Sequence, residues 1–294
     1  MRIPQPIPYQ GSKRGIANSI LYYFPESLET LVEPFAGSAA ITIAAAKHNK
    51  SRYFHLNDIN EPLMNLWKLI IEQPETISER YERIWKEQDT TTNTYYNKVR
   101  ADFNITHEPG EFLYLLARCV KGSVRYNAQG EFNQAPDKRR AGKNPKMMRE
   151  DIFRISALLK NKTKITSEDY TSIFKRAQET DLLYLDPPYQ GVCENRDTRY
   201  FNKVDYNEFV DALTLLNERK IPYILSYDGK TGDKSYGKEL PKALNLKKIV
   251  IHAGRSTQAT LLGRSQVTYE SVYLSPILIK KLGKPVLIVS QSRL

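Results

Sequence analysis

Cysteine is scarce in this chain. Cys119 and Cys193 stand far apart among 294 residues, with neither metal-ligand spacing nor a disulfide framework, which fits a reduced, intracellular setting. The four histidines (His48, His55, His107 and His252) are scattered, so no metal site is expected. No uncharged apolar run reaches the ~18 residues that a bilayer-spanning helix needs, and the first residues lack the apolar stretch of a signal peptide. The expectation is a cytoplasmic protein without a membrane partner. Internal repeats and long low-complexity tracts are absent. No Gly-x-Gly-x-x-Gly follows the first apolar strand, which argues against a nicotinamide dinucleotide. No Cys or Ser-His arrangement stands out as a nucleophile.

Cations, by contrast, are abundant. Lys and Arg number 44 against 33 Asp and Glu, a formal net charge of +11. Such an excess points to a polyanionic partner, because basic side chains that neutralise phosphates release counterions. Hydrophobic residues make up 40%, enough for a real core.

The periodicity predicts an α/β chain with its strand signal split in two. Leu31–Phe35 reads as a short apolar strand, stopped by Gly37-Ser38 and followed by an Ala- and Ile-rich helix over 39–48. Tyr53–Leu56 reads as a second strand ending at Asn57-Asp58. From about Asn60 to Val120 the apolar spacing is helical throughout. A polar, Gly-punctuated, cation-rich stretch covers 125–149, and a helix follows near 152–159. Strands return at Leu182–Leu185 and Ile221–Tyr227, with an amphipathic helix between them and a closing pair at 247–251 and 267–274. Short apolar strands alternating with helices imply a parallel sheet covered on both faces. The expected organisation is a catalytic domain formed by 1–60 and 165–294, interrupted by an inserted domain over 61–164; a single domain with a long helical crossover is the alternative.

The sharpest chemical signal is Asp186-Pro187-Pro188-Tyr189, directly after an apolar strand. An acid at the carboxyl end of a parallel strand sits where open α/β sheets bind ligands. Two prolines fix φ and remove two N–H donors, which leaves carbonyls free to accept. A carboxylate and a carbonyl together match the two hydrogens of an amino group, and Tyr189 offers a flat face on which a base can stack. The same four residues are also good turn chemistry.

Tyr184-Leu185-Asp186-Pro187-Pro188-Tyr189 resembles the catalytic motif of amino-group DNA methyltransferases, and Leu31-Val32-Glu33-Pro34-Phe35-Ala36-Gly37-Ser38 resembles their cofactor motif. The order of cofactor motif, inserted block and catalytic motif is that of the Dam-type, alpha-class N6-adenine methylases. Pro8–Arg14 resembles their N-terminal cofactor-contacting segment, and Arg125-Tyr126-Asn127 through Gly130–Asn133 a segment of their DNA-recognition domain. The resemblance implies a Rossmann-like sheet that binds S-adenosylmethionine, with an inserted, mainly helical DNA-recognition domain. It implies methyl transfer to adenine N6 in double-stranded DNA, with the target base flipped out of the duplex. A prokaryotic or phage-infected cytoplasm is implied too, as part of a restriction-modification system with a cognate endonuclease or as an orphan or phage enzyme.

Residue by residue, the resemblance implies cofactor contacts from Tyr9, Lys13, Glu33, Phe35, Gly37, Asp58 and Asp186. It implies target-base chemistry from Asp186, Pro187, Pro188 and Tyr189. One departure stands in the cofactor loop: where the family usually has Phe-x-Gly-x-Gly, this chain has Ala39 in the final place, where a positive φ would be strained. In the basic block, Arg125 is the candidate for reading a guanine edge, with Tyr126 and Asn127 beside it. Lys138, Arg139 and Arg140 are candidates for phosphate contact, and by resemblance Arg255 and Ser256 begin a loop along the DNA backbone. Two other readings remain open at this level: methylation of an RNA or protein amino or amide group, and a DNA-binding module that has lost catalysis.

Overall fold

A computed structural model describes residues 3–89, 92–188, 204–231, 234–236, 238–255 and 267–283. Five strands run parallel: β1 (Thr30–Glu33), β2 (Tyr53–Asn57), β3 (Thr163–Thr166), β4 (Asp181–Leu185) and β5 (Tyr223–Thr231). A short β6 (Lys234–Tyr236) pairs antiparallel with β5. The sheet is closed by β7 (Lys247–Arg255) and β8 (Val267–Leu274), with β8 antiparallel to both β5 and β7. The spatial order is β3-β2-β1-β4-β5-β8-β7. This is a Rossmann-like α/β sheet, and its strand order reverses direction between β1 and β4. At that point loops leave in opposite directions and open a crevice.

Alternating side chains bury both faces of the sheet. Leu31, Leu182, Tyr184 and Ile224 join one apolar cluster. Val32, Leu183, Leu185, Tyr223 and Leu225 join the other. The second cluster is covered by α8 (Tyr170–Arg176) and α9 (Tyr206–Glu218), through Ile173, Phe174, Phe209 and Leu213. On the first face lies α2 (Ala40–Lys47), whose residues from Ala40 to Ala46 are all buried. Its small alanines let it lie between the sheet and a further helical layer.

That layer is the block expected from the helical spacing. It comprises α3 (Glu61–Glu72), α4 (Pro74–Glu87), α5 (Thr94–Thr106), α6 (Pro109–Arg118) and α7 (Pro145–Leu159). Asn60 and Asn144 cap α3 and α7 by accepting from Leu63 and Lys146 N–H groups, and a proline opens each first turn. Trp67, Tyr81, Phe103, Phe112, Leu115 and Ile152 belong to the same continuous apolar cluster as Leu31 and Tyr184. The helical layer and the sheet therefore share one core. The boundary expected between 164 and 165 falls inside β3, whose half-exposed Thr-Lys-Ile-Thr lacks the apolar run that marks the central strands. Helix α8, too short for a periodic signal, was also not legible, nor were α1 (Ala17–Leu21) and α10 (Pro276–Leu282). Among the described residues no helix is long and apolar enough to cross a membrane.

One buried side chain ties the carboxyl ends of three strands. Asn57 is fully buried. Its Nδ2 donates to the Pro34 and Glu168 carbonyls at 3.0 and 2.9 Å. Its Oδ1 accepts from Thr166 Oγ1 at 2.7 Å and from the Glu168 N–H at 2.9 Å. Asn57→Ala removes four hydrogen bonds, one buried and three part-buried, and each group left without a partner costs ~1–3 kcal/mol. The expected loss in denaturant unfolding is about 3–5 kcal/mol; a loss below about 1 kcal/mol would show that the asparagine does not hold the strand ends.

Candidate cofactor and target-base site

Parallel pairing of β1 with β4, Leu31 opposite Leu182 and Val32 opposite Leu183, delivers two loops side by side. The loop after β1 carries Phe35, Gly37 and Ala39, and the loop after β4 carries Asp186-Pro187-Pro188. About 150 residues of chain separate them, so only the sheet explains their meeting.

The first loop is held tightly. Gly37 has φ +47°. Its N–H donates to Asp58 Oδ2 at 3.0 Å, and its carbonyl accepts from Trp67 Nε1 at 2.9 Å. Tyr9 lies directly over it: a Cβ at this position would stand 3.1 Å from Tyr9 Cε1. Ser38 Oγ donates to Ser12 Oγ at 2.8 Å, which joins the loop to the N-terminal segment. Ala39 does adopt the left-handed conformation, at φ +49°, which costs an L-residue roughly 1–2 kcal/mol. The fold holds it there because Ala39 is fully buried and its carbonyl accepts the Ile43 N–H at 2.9 Å, starting α2.

Together these loops line a cleft of about 910 Å³, its open mouth included. Every described candidate for cofactor or base contact lines it: Tyr9, Lys13, Glu33, Phe35, Gly37, Asp58, Asp186, Pro187 and Pro188. Tyr189 lies outside the described residues. Apolar wall comes from Phe35, Ile41, Ile59 and Val124. Tyr184, just before Asp186, hydrogen-bonds Ser226 on β5 at 2.8 Å and fixes the end of β4. Among the described residues, no group of three or more His, Cys, Asp or Glu side chains is placed to hold a metal ion.

The cleft concentrates charge among buried and partly buried side chains. Lys13 is buried at 7% exposure, with Nζ 3.1 Å from Asp186 Oδ1 and 3.7 Å from Glu270 Oε2. Burial alone would lower its pKa, but the carboxylates of Asp186 and Glu270 outweigh that and raise it, so Lys13 keeps its proton. Glu33, 2% exposed, accepts the Thr42 N–H at 2.6 Å. Burial pushes its carboxyl up to about 8, the Thr42 hydrogen bonds oppose the shift, and nearby Asp186 adds to it. Burial also raises Asp58, against hydrogen bonds from the Asn60 and Gly37 N–H groups. Each Asp58 oxygen accepts one backbone N–H and keeps lone pairs for a ligand hydroxyl.

Glu270 and Asn60 were not among the residues singled out from sequence. Glu270 reads only as an alternating position of a closing strand, and nothing local ties it to Lys13. Asn60 carried a readable signal, an Asn before Glu-Pro at a helix start, but its place in the cleft depends on β2.

The basic block divides by environment. Lys138, Arg139 and Arg140 are exposed. Their loop is pinned by buried Asp137, which accepts the Arg139 N–H at 2.9 Å and pairs with Arg140 Nε at 3.5 Å. Lys143 is instead engaged by Asp151, and Arg149 donates to Ser78 at 2.9 Å. Arg125 is half-buried at the root of a hairpin. Tyr126 is 5% exposed, with its ring edge-on to Phe132 at 6.0 Å, so in this conformation it is core rather than surface. Asn127 closes the hairpin turn, where its Oδ1 accepts the Gln129 and Glu131 N–H groups. Arg255 ends β7, and Ser256 lies outside the described residues.

Gly122, at φ +59°, links this block to the cleft. Its carbonyl accepts the Gln10 N–H at 3.0 Å, and an added Cβ would meet the Pro8 carbonyl carbon at 2.9 Å. The seat of Tyr9 over Gly37 is thus set partly by the helical layer.

The Glu33 environment predicts a pH signature. Its folded pKa lies above the unfolded value of 4.5, so the native state holds a proton that the unfolded chain has lost. Stability of the ligand-free chain should fall as pH rises from about 5 to 8, at up to about 1.4 kcal/mol per unit from this group. Glu33→Gln, which cannot ionise, removes that slope. Identical stability–pH profiles for the two proteins would contradict the assignment.

Residues 9–254 match the family model of the D12 class N6 adenine-specific DNA methyltransferases. A DNA N-6-adenine-methyltransferase of Escherichia phage P1 is 30% identical over 75% of this chain, a stretch that spans only 29% of the phage protein. A type II methyltransferase of Methanocaldococcus jannaschii is 27% identical over 71% of this chain and 76% of that protein. A DNA adenine methylase of Haemophilus influenzae is 27% identical over 83% of this chain and 84% of its own length. The match covers both loops of the cleft and the helical layer between them, and the chain belongs to the D12 class of N6 adenine-specific DNA methyltransferases.

Proposed function

We propose that the cleft binds S-adenosylmethionine and that Asp186, with the adjoining proline edge, presents adenine N6 of double-stranded DNA to it. The observation that carries this reading is the meeting of the Gly37 loop and Asp186-Pro187-Pro188 in one cleft at the reversal of the sheet. The residues present fit such a cofactor. Glu33 and Asp58 are acceptors suited to an ammonium group and to ribose hydroxyls, Gly37 allows close approach of the backbone, and Phe35 and Ile59 offer apolar surface for a purine. When bound, S-adenosylmethionine supplies an electrophilic methyl group on a positively charged sulfur.

The chain's own residues then orient the acceptor. Adenine N6 is a poor nucleophile because its lone pair is delocalised into the ring. The Asp186 carboxylate and a proline carbonyl accept its two hydrogens, which favours a pyramidal nitrogen and stabilises the positive charge developing there. Lys13 holds the carboxylate in position through its ion pair. Asp186 need not be a strong base, because the product can lose its proton after transfer. No covalent enzyme intermediate is required. The helical segment 61–164 serves as the target-recognition region, with Arg125 reading a base edge and Lys138, Arg139 and Arg140 contacting phosphates. Tyr189 and the segment beginning at Arg255 and Ser256 complete the base and backbone contacts.

Asp186→Ala should abolish transfer of radiolabelled methyl to duplex DNA while duplex binding persists; near-normal methylation would exclude the role. Label appearing in RNA or protein, and not in duplex DNA, would overturn the choice of acceptor. Arg125→Ala should relax choice at one base pair at a cost of about 1–3 kcal/mol, whereas Lys138→Ala should weaken all duplexes alike. Binding measured on cognate and scrambled duplexes checks this division, and identical effects of both variants on both duplexes would count against it.

A further inference from the structure

Asn60 stands where three constraints cross. Its N–H donates to Asp58 Oδ1 at 3.0 Å, and the other oxygen of that carboxylate holds the Gly37 N–H at 3.0 Å. Its side-chain oxygen caps α3 by accepting the Leu63 N–H at 3.3 Å. The same oxygen accepts the Tyr126 hydroxyl at 3.2 Å, in a buried bond that spans 66 positions of sequence. Tyr126 follows Arg125 directly, and its hairpin is fixed by the Asn133 N–H donating to the Arg125 carbonyl at 3.0 Å. Asn104 grips the opposite strand of that hairpin, accepting the Phe132 N–H at 2.8 Å. An unbroken path of hydrogen bonds thus runs from the backbone of the cofactor loop to the residue beside Arg125. Packing against Phe132 requires only an aromatic ring; the hydroxyl adds a directional link to the cleft wall.

We propose that the Tyr126 hydroxyl is a positioning group that couples occupancy of the cleft to the placement of the Arg125 hairpin. The inference rests on the reading that the cleft takes the cofactor and the hairpin reads DNA. A ligand that settles on Gly37 and Asp58 fixes Asn60, and Asn60 fixes the hairpin through Tyr126. Such coupling must be reciprocal: whatever factor the cofactor contributes to duplex affinity, the duplex contributes to cofactor affinity.

The test is a binding cycle on the full chain. Its probes are S-adenosylhomocysteine and a duplex carrying the site identified by mapping methylated bases in DNA from cells expressing the chain. In the wild type, S-adenosylhomocysteine should tighten duplex binding by about five- to tenfold, and the duplex should tighten S-adenosylhomocysteine by the same factor. In Tyr126→Phe that ratio should fall to about two or less. Asn60→Ser keeps a cap for α3 but is too short to reach Tyr126, and it should lower the ratio equally. The double variant should lower it no further, because both changes cut the same link. The ratio, rather than either affinity alone, separates coupling from simple destabilisation. A wild-type chain that bound neither probe would overturn the functional reading itself. Binding of both with a ratio of one, an unchanged ratio in Tyr126→Phe, or additive effects in the double variant would overturn the coupling and leave that reading intact.

Discussion

The structure depends on the parallel pairing of β1 with β4. Each strand is short, and neither loop that follows it amounts to a site alone. Their pairing places a glycine turn and a strand-end acid on the same rim of the sheet, at the point where the strand order reverses. Leu31, Leu182 and Tyr184 bury into one core and Val32, Leu183 and Leu185 into the other. A slip of one residue would turn every one of these side chains to the wrong face. Register, and with it the distance between the two loops, is thus set by apolar packing on the two faces of the sheet.

Around that rim the molecule holds charge in a setting where charge is costly. A buried ammonium needs paired carboxylates, and Lys13 has two, one on the loop after β4 and one on β8. Among the described residues Glu33 has no ion pair with a cation, and burial pushes its carboxyl up to about 8. The contrast is chemically useful. Asp186 is steadied by a neighbouring cation, while on the proposed reading Glu33 accepts one from the ammonium of the ligand.

Much of this was legible because it is local. The strand before Asp186 is a plain apolar run, and the helical spacing from Asn60 to Val120 identified the block that became α3 to α6. The positive φ anticipated as a strain at Ala39 is present. What escaped was non-local. Strand β3 is half-exposed at the sheet edge and carries little apolar signal. Glu270 acquires meaning only when β8 packs beside the N-terminal segment, and Asn60 only when Tyr126 arrives from the hairpin. Tyr126 is a DNA-contact candidate beside Arg125 in the sequence, whereas Phe132 and Asn60 draw it into the core. The continuity of the helical layer with the sheet likewise appears only in three dimensions, because each amphipathic face announces burial without naming its partner.

The decisive measurement is a crystal structure of the chain with S-adenosylhomocysteine. Density for the ligand is expected between Gly37, Asp58 and Asp186, with the Asp186 carboxylate open toward the mouth of the cleft. Ligand density elsewhere on the molecule, or an Asp186 side chain turned into the protein interior, would contradict it.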